Sequence, residues 1–316
     1  MQPPGNKAVN QMPRIITLLP SATEIVCALG FEDRLVGRSH ECDFPRSVVR
    51  IPALTEPKFN PEGTSAEIDQ RVKKIVGEAL SVYRVHAAML RELRPDVIVT
   101  QSQCEVCAVS ERDVEAAVAE WLGARPKIVS LAPYGLDDIF TDMQRVADAL
   151  DTSARGTELV ERLRMRLSKI ADRARGVSDR PSVATIEWID PLMAAGNWMP
   201  TLVEMAGGVN LFGKAGEHSP WMKFDELVTK DPDVILISPC GFNMDRAAQD
   251  LPAVTNRAEW HGLKAVRGGR VFMADGNQYF NRPGPRIVES LEILAEIAHP
   301  ELFHFDHEGS SWRRLQ

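Results

Sequence analysis

Long apolar runs are missing from this sequence, and their absence limits where the protein can work. No segment approaches the roughly 20 apolar residues that a membrane-spanning helix needs, so we expect no membrane insertion. Residues 1–14 also lack the apolar stretch and cleavage site of a secretory signal peptide. The sequence as given therefore predicts a cytoplasmic protein, or a periplasmic one if an exporting segment has been removed.

Cysteine and positive charge are both scarce, and several catalytic motifs are absent. Five cysteines among 316 residues are too few for a disulfide scaffold. A net charge of −7, without any stripe of Lys or Arg, argues against a nucleic-acid partner. We find no phosphate loop, dinucleotide fingerprint, H-E-x-x-H motif or G-x-S-x-G motif. We therefore expect a protein that is not an enzyme and requires no cofactor.

The chain does contain strands that alternate with helices, in an order that occurs twice. "PDVIVTQ" (95–101) is nearly repeated as "PDVILIS" (232–238), and "KIVSLAP" (127–133) has its counterpart in "RVFMADG" (270–276). Alternation of this kind is typical of parallel sheets that are covered by helices. The spacing of Ser21 with Glu24, and of Thr64 with Glu67, predicts a capping box at the start of two of these helices. The predicted fold class is therefore α/β, with two Rossmann-like lobes built on parallel sheets.

The repeat sets the expected domain boundaries. We predict an N-terminal lobe at residues 14–136 and a C-terminal lobe at residues 181–303. Between them, residues 137–176 carry apolar side chains at helical spacing with a break near Asp151, which predicts a linking helix instead of a flexible tether. A stiff linker packed on both lobes allows only a small change in their relative angle. Residues 304–316 show no periodicity, and we expect them to be peripheral.

A ligand in such a fold is expected beyond the carboxyl ends of the strands, in a cleft between the lobes. Candidate ligand-binding residues follow the predicted strands: Ser21, His40, Glu41, Gln101, Tyr134, Trp188, Trp198, Phe242, Tyr279, Phe280 and Arg282. Each has a structural alternative. Trp188 and Trp198 could fill the interface between the lobes, and His40 could be an ordinary hydrogen-bonded histidine.

The segment "QSQCEVCAVS" (101–110) carries Cys104 and Cys107 in C-x-x-C spacing. By the same strand-end rule, Cys42 and Cys240 should point toward the same cleft, so the four thiols are candidate metal ligands. The competing interpretation is that buried free cysteines line a pocket as small apolar side chains. The metal hypothesis requires the Sγ atoms of Cys42, Cys104 and Cys107 to lie within about 4 Å of one another.

Several blocks of the sequence resemble the helical-backbone (class III) substrate-binding proteins of ABC importers, in particular the cobalamin-binding members. Together these blocks span roughly residues 14–300: "RIITLLPSATEIVCALG", "LVGRSHECDFP", "LRPDVIVTQ", "PLMAAGNWMPTLVEMAGGVNLF", "WMKFDELVTKDPDVILIS" and "RPGPRIVESLEIL". The resemblance implies two lobes joined by a long backbone helix, with a small molecule clamped between them and little hinge motion. It implies a non-enzymatic binding protein, which we expect to be a monomer.

The resemblance also implies a ligand class. Cobalamin or a related corrinoid or tetrapyrrole is the leading expectation, although relatives in the superfamily also bind haem, iron–siderophore complexes and bare metal ions. By position it implies cleft-facing aromatics at Trp188, Trp198, Trp221, Tyr279 and Phe280. The first lobe departs from the typical cobalamin binder, because the cysteine pair follows "PDVIVTQ" where an aromatic residue usually stands.

A membrane partner is implied as well. Family members present one acidic residue on each lobe to arginines of an ABC permease, and Glu111 and Asp245 are the positions that correspond here. The alternative function that the residues leave open is a cytoplasmic metal or iron–sulfur handling protein that uses the cysteines.

Overall fold

We describe the protein from a computed structural model, which describes residues 12–78, 82–103, 111–118 and 125–315. The strands are β1 (Ile15–Thr17), β2 (Leu35–Arg38), β3 (Thr55–Pro57), β4 (Tyr83–Val85), β5 (Val97–Gln101), β6 (Lys127–Leu131), β7 (Ser182–Trp188), β8 (Met193–Ala194), β9 (Val209–Asn210), β10 (Val234–Ile237), β11 (Val271–Ala274) and β12 (Trp312–Arg314). The helices are α1 (Pro20–Ala28), α2 (Ser65–Gly77), α3 (Ala87–Leu93), α4 (Glu111–Val118), α5 (Leu136–Ala149), α6 (Ser153–Ala174), α7 (Met199–Met205), α8 (Phe224–Lys230), α9 (Met244–Asp250), α10 (Pro252–Thr255), α11 (Lys264–Arg267) and α12 (Ile287–Ala298). Among these described residues, no helix has both the length and the apolar character needed to cross a bilayer.

The N-terminal lobe is built on a parallel sheet with the strand order β2-β1-β5-β6. Its central strand β5 is buried along its whole length, because helices cover both faces of the sheet. The continuous apolar run in "PDVIVTQ" follows from this double coverage. A separate antiparallel pair, β3 with β4, lies outside the main sheet and has no counterpart in the sequence-based expectation.

The C-terminal lobe repeats this plan, with β7, β10 and β11 parallel and with β8 and β12 added as antiparallel strands. The structure differs here from the expected peripheral tail, since β12 pairs with β11. Trp312 is only 5% exposed, and its indole nitrogen donates to Glu296 Oε2 at 2.8 Å. The tail lacks periodicity because a strand of three residues is too short to show any.

Two helices, α5 and α6, occupy residues 137–176, for which a linking helix with a break near Asp151 was expected. Helix α5 packs against α1 of the N-terminal lobe and against α6, and α6 packs against α7 and α12 of the C-terminal lobe. The break falls at Asp151, whose φ of 54° lies in the left-handed region. At the start of α6, Arg155 Nη1 donates to the Leu29 carbonyl oxygen at 3.1 Å. The 22 residues of α6, about 33 Å of helix, therefore contact both lobes.

Helix α2 makes a second connection between the lobes. It begins with the expected capping box, in which Thr64 and Glu67 exchange hydrogen bonds. Its Ile68 packs in one apolar cluster with Phe242 of the C-terminal lobe. The Ser65 amide donates to Asp250 Oδ2 of α9 at 2.8 Å. The lobes are thus joined by α6 and also by α2.

Candidate functional site

A cavity of about 150 Å³ lies between the lobes, and both lobes supply its walls. Gln101 ends β5 in the N-terminal lobe and Glu187 lies near the end of β7 in the C-terminal lobe, so the cavity opens at the carboxyl ends of both sheets. Among the described residues, the polar lining is dominated by carboxyl and amide side chains: Glu41, Gln101, Gln103, Glu187, Asn197, Asn277 and Asn281. Apolar contact comes chiefly from Leu19, Leu131, Trp198 and Phe280.

Four charged side chains connect the lobes at the edge of this cavity, and we call Glu24, Asp43, Arg282 and Arg286 the interlobe ion cluster. Arg282 Nη1 donates to Asp43 Oδ1 at 2.7 Å and to Glu24 Oε1 at 3.1 Å. Arg286 donates to the same Glu24 carboxylate through Nε, at 2.9 Å, and through Nη2, at 2.5 Å. Burial favours a neutral Asp43, but the guanidinium of Arg282 outweighs it and lowers the pKa of that carboxyl.

An acidic side chain from each lobe reaches the cavity. Tyr83 donates from its hydroxyl to Glu41 Oε1 at 3.2 Å, and burial raises the pKa of Glu41 to about 7. Ser219 donates from Oγ to Glu187 Oε2 at 2.8 Å, and burial raises the pKa of Glu187 as well. Near neutral pH, Glu41 is therefore divided between its protonated and ionised forms. A protonated carboxyl can donate one hydrogen bond and accept another.

Half of the predicted ligand-binding residues line this cavity. They are Ser21, Glu41, Gln101, Trp198, Phe280 and Arg282. Trp198 is only 6% exposed and donates from Nε1 to the Phe280 carbonyl oxygen at 3.1 Å. It therefore forms part of the cavity wall and part of the core at the same time.

Two of the remaining aromatic candidates pack against each other, away from the cavity lining. The rings of Trp188 and Phe242 lie 5.1 Å apart, in the apolar cluster that includes Ile68 of α2. Trp188 therefore packs between the lobes, which is the structural alternative to ligand binding that the sequence left open. Tyr279 also lies outside the lining, since Ser311 Oγ donates to its hydroxyl at 3.0 Å.

The other three candidates also lie outside the lining. Trp221 is 54% exposed, and Lys73 of α2 lies over its ring at 4.9 Å from the centroid. Tyr134 is 42% exposed. His40 Nδ1 shares a hydrogen bond with Thr55 Oγ1 at 2.7 Å, and burial lowers the pKa of its imidazole. Strand-end position alone does not tell whether a side chain turns into the cleft or into the adjacent lobe.

The described part of the chain gives the metal hypothesis no support. Cys104 and Cys107 lie outside the described residues, so the 4 Å requirement stays a prediction. Cys42 is 1% exposed and accepts a hydrogen bond from Thr23 Oγ1 at 2.9 Å, away from the cavity lining. Cys240 does line the cavity, but burial raises the pKa of both thiols to about 12, opposite to what thiolate ligands need. Within the described ranges, no group of three His, Cys, Asp or Glu side chains could hold a metal ion.

Both residues assigned to a permease contact are accessible to solvent. Glu111 begins α4 in the N-terminal lobe and is partly exposed. Asp245 lies in α9 of the C-terminal lobe, with 88% of its side chain exposed, and pairs with Arg313 Nη1 at 3.1 Å. Their contact with a permease stays a prediction.

Several site residues escape prediction from the sequence, and Glu24 is the clearest case. Ser21 and Glu24 have capping-box spacing, but α1 begins with Pro20 after Leu19, and no side chain caps its N-terminus. The capping-box interpretation is therefore wrong, and Glu24 instead binds the two arginines of the other lobe. Asp43, Arg286 and Glu187 were also missed. Their strand-end positions were a signal, but their partners lie on distant parts of the chain.

The sequence profile of the periplasmic binding protein family matches residues 15–277, and the chain belongs to this family. An uncharacterized ABC transporter substrate-binding lipoprotein of Bacillus subtilis, YvrC, is 23% identical over 295 residues, covering 92% of this chain and 81% of the relative. The vitamin B12-binding protein of Vibrio cholerae is 23% identical over 286 residues, covering 88% of this chain and 86% of the relative.

Solved structures share the fold. The periplasmic vitamin B12-binding protein BtuF of Vibrio cholerae superimposes with a TM-score of 0.64 at 20% identity, covering 91% of this chain and 97% of that one. A periplasmic haem-binding protein of Pseudomonas aeruginosa gives a TM-score of 0.69 at 20% identity, covering 92% and 94%. The protein thus has the two-lobed fold of class III substrate-binding proteins, a class that delivers small molecules to ABC permeases.

Proposed function

We propose that this protein is a non-enzymatic binding component of an ABC importer that clamps a corrinoid, with cobalamin as the leading candidate, between its lobes. The observation that carries the proposal is the cavity between the lobes, which is lined by side-chain amides and carboxyls. Relatives that are described as vitamin B12-binding proteins support the ligand class.

The chemistry of the lining favours a corrinoid over haem. Corrinoids carry primary amides around the macrocycle, which can donate to carboxyl oxygens and accept from carboxyl or amide groups. Haem carries carboxylates instead, which would face Glu41 and Glu187 and be repelled wherever these are ionised. Among the described lining residues, Arg282 is the only cationic side chain, and Asp43 and Glu24 already bind it. A haem carboxylate would therefore find, among the described lining residues, no cation that lacks an acidic partner.

The volume of the cavity bears on how the ligand enters. At about 150 Å³ it is smaller than the roughly 300–1,000 Å³ of sites for drug-sized ligands. In its present form it can hold one substituent of a macrocycle but not the whole ring. We therefore propose that the lobes separate to admit the ring.

Haem is the second candidate ligand, because haem-binding proteins are among the solved structures with this fold. The apolar walls formed by Trp198 and Phe280 would suit either macrocycle. For the site of action, relatives described as periplasmic or as lipoproteins support the periplasmic alternative of the two set out from the sequence.

Calorimetric titration tests the proposal, with cyanocobalamin, dicyanocobinamide, haemin and zinc each titrated separately into the protein. We expect saturable binding of one corrinoid per chain. Haemin should bind at least tenfold more weakly, because its carboxylates meet the acidic lining. Haemin binding tighter than that of both corrinoids, or stoichiometric zinc binding without any corrinoid binding, would overturn the proposal.

A further inference from the structure

The two carboxyl groups in the cavity belong to different lobes, so they can meet one ligand group from opposite sides. Glu41 follows β2 of the N-terminal lobe, and Glu187 lies on β7 of the C-terminal lobe. Both lie close enough to Cys240 that each, after burial itself, contributes to raising the pKa of its thiol. Both carboxyl groups and Cys240 line the same cavity.

Each carboxyl is held by a hydroxyl group that leaves it able to bind more. Tyr83 reaches Oε1 of Glu41, while Oε2 of Glu41 accepts no hydrogen bond from the described residues. On the other lobe, Ser219 Oγ donates to Glu187 and accepts from the Gly196 amide at 3.0 Å. Gly196 fits there because any Cβ would lie 2.6 Å from the Glu217 carbonyl oxygen. The support of Glu187 is thus built into the tight packing of this loop.

The charged and titratable groups around the pair are few. Asp43 and Arg282 act on Glu41 from the interlobe ion cluster, and Tyr83 contacts it directly. His218 acts on Glu187 from the loop that carries Ser219. Cys240 lies near both carboxyls as a protonated thiol. No described cation binds either carboxylate directly, so a ligand group can take that place.

We propose that Glu41 and Glu187 together determine ligand specificity, by holding one primary amide of the corrin periphery between the lobes. Protonated Glu41 donates to the amide oxygen, and Glu187 accepts from the amide N–H. The inference rests on the proposed function.

This arrangement discriminates against ligands that lack the amide, because such a ligand leaves Glu41 or Glu187 without a hydrogen-bond partner on the ligand. A site built to hydrogen-bond a polar group rejects analogues that lack it much more strongly than an apolar pocket rejects a change of shape. A carboxylate in place of the amide offers no N–H to Glu187 and adds a like charge. A corrinoid monocarboxylic acid, in which one peripheral amide is hydrolysed at the bound position, should therefore bind more weakly than the parent amide.

The test combines four variants with calorimetric titration of dicyanocobinamide. Glu41→Ala and Glu187→Ala should each weaken binding about tenfold, because each removes one hydrogen bond and leaves a polar ligand group unpaired. Glu41→Gln should stay within about threefold of the original protein near pH 6, since its amide can still donate to the ligand oxygen. Glu204→Ala, at an exposed carboxyl paired with Arg180, is the matched control and should change nothing.

The pH dependence of binding gives a readout that a merely structural role would not move. Affinity should fall as pH rises from 6 to 8, because Glu41 loses the proton that it donates, and Glu41→Gln should remove most of this dependence. Circular dichroism shows whether each variant is folded. Folded alanine variants that bind like the original protein would overturn the pair while leaving the proposed function standing. Failure of the original protein to bind any corrinoid would instead overturn the proposed function itself.

Discussion

At the scale of single residues, Arg282 is the side chain that forms ion pairs with two acidic residues of the other lobe. It is 3% exposed, and its two acidic partners, Glu24 and Asp43, belong to the other lobe. A buried ion pair of this kind adds little net stability over an apolar pair of the same shape. Removing Arg282, however, takes a guanidinium away from both carboxylates and leaves Arg286 as the one described cation on the buried Glu24, and that is costly.

Arg282→Met should therefore lower the free energy of unfolding by about 3–5 kcal/mol, as measured by urea denaturation. The control is Arg313→Met, which breaks the pair with the exposed Asp245 and should cost about 1 kcal/mol or less. Equal, small losses in both variants would show that solvent reaches the interlobe ion cluster.

Glu41 gives the protein a pH dependence whose sign follows from burial. Its pKa in the folded protein is about 7, against an ordinary value of 4.5, so the folded state binds the proton more tightly than the unfolded state does. The resulting stability is complete below about pH 4.5 and is lost as the pH rises toward 7. Glu41→Gln should avoid this loss.

We expect Glu41→Gln to be more stable than the original protein at pH 8, by up to roughly 3 kcal/mol, and to show no gain at pH 4.5. Urea denaturation of both proteins at the two pH values measures the difference. The same difference at both pH values would mean that Glu41 has an ordinary pKa in the folded protein.

At the scale of elements, α2 is the helix that belongs to the N-terminal lobe but also contacts the C-terminal lobe. Its sequence position and its capping box belong to the N-terminal lobe, but its first turn is bound to Asp250 of the other lobe. Any separation of the lobes must therefore release α2 from α9 or carry it along. This makes α2 the element that reports most directly on opening.

Asp250→Ala removes the acceptor of the Ser65 amide, so the first turn of α2 should exchange its amide hydrogens roughly tenfold faster. The start of α8 supplies the control within the same protein, because its Lys223 amide donates to Glu226 Oε2 inside one lobe. Hydrogen exchange followed by mass spectrometry measures both segments. Unchanged exchange in α2 would show that the contact with α9 does not hold this helix.

Strand β12 tests the finding that the C-terminal segment is part of the core. Trp312→Ala should cost about 3–5 kcal/mol, because it opens a cavity beside Phe272 and removes the donor to Glu296 Oε2. Trp221→Ala, at a ring that is 54% exposed, should cost less than about 1 kcal/mol. Thermal denaturation compares the two, and similar melting temperatures would contradict the assigned role of β12.

Elements with strong local patterns could be predicted from the sequence, and elements defined by distant contacts could not. The strands β5 and β10 and the capping box of α2 were foreseen because apolar runs and cap spacing act within one segment. The same spacing misled at Ser21 and Glu24, since the arginines that bind Glu24 lie about 260 positions away. Trp188 was assigned to the cleft for a similar reason, because its packing against Phe242 depends on how α2 crosses to the other lobe.

At the scale of the whole molecule, the described residues connect the lobes at several places. Helix α6 joins them through the chain, α2 joins them through its contacts with α9, and the interlobe ion cluster joins them beside the cavity. The cavity of about 150 Å³ lies among these attachments. Binding of a complete macrocycle then requires the ion cluster or α2 to yield, while α6 limits the movement.

The crystal structure of the protein grown with dicyanocobinamide tests this account most directly. We predict a corrin ring between the lobes, with one peripheral amide within about 3.2 Å of both Glu41 and Glu187 and with the cavity widened around it. Ligand bound outside the cleft, or a ring between the lobes with no amide near either carboxyl, would contradict it.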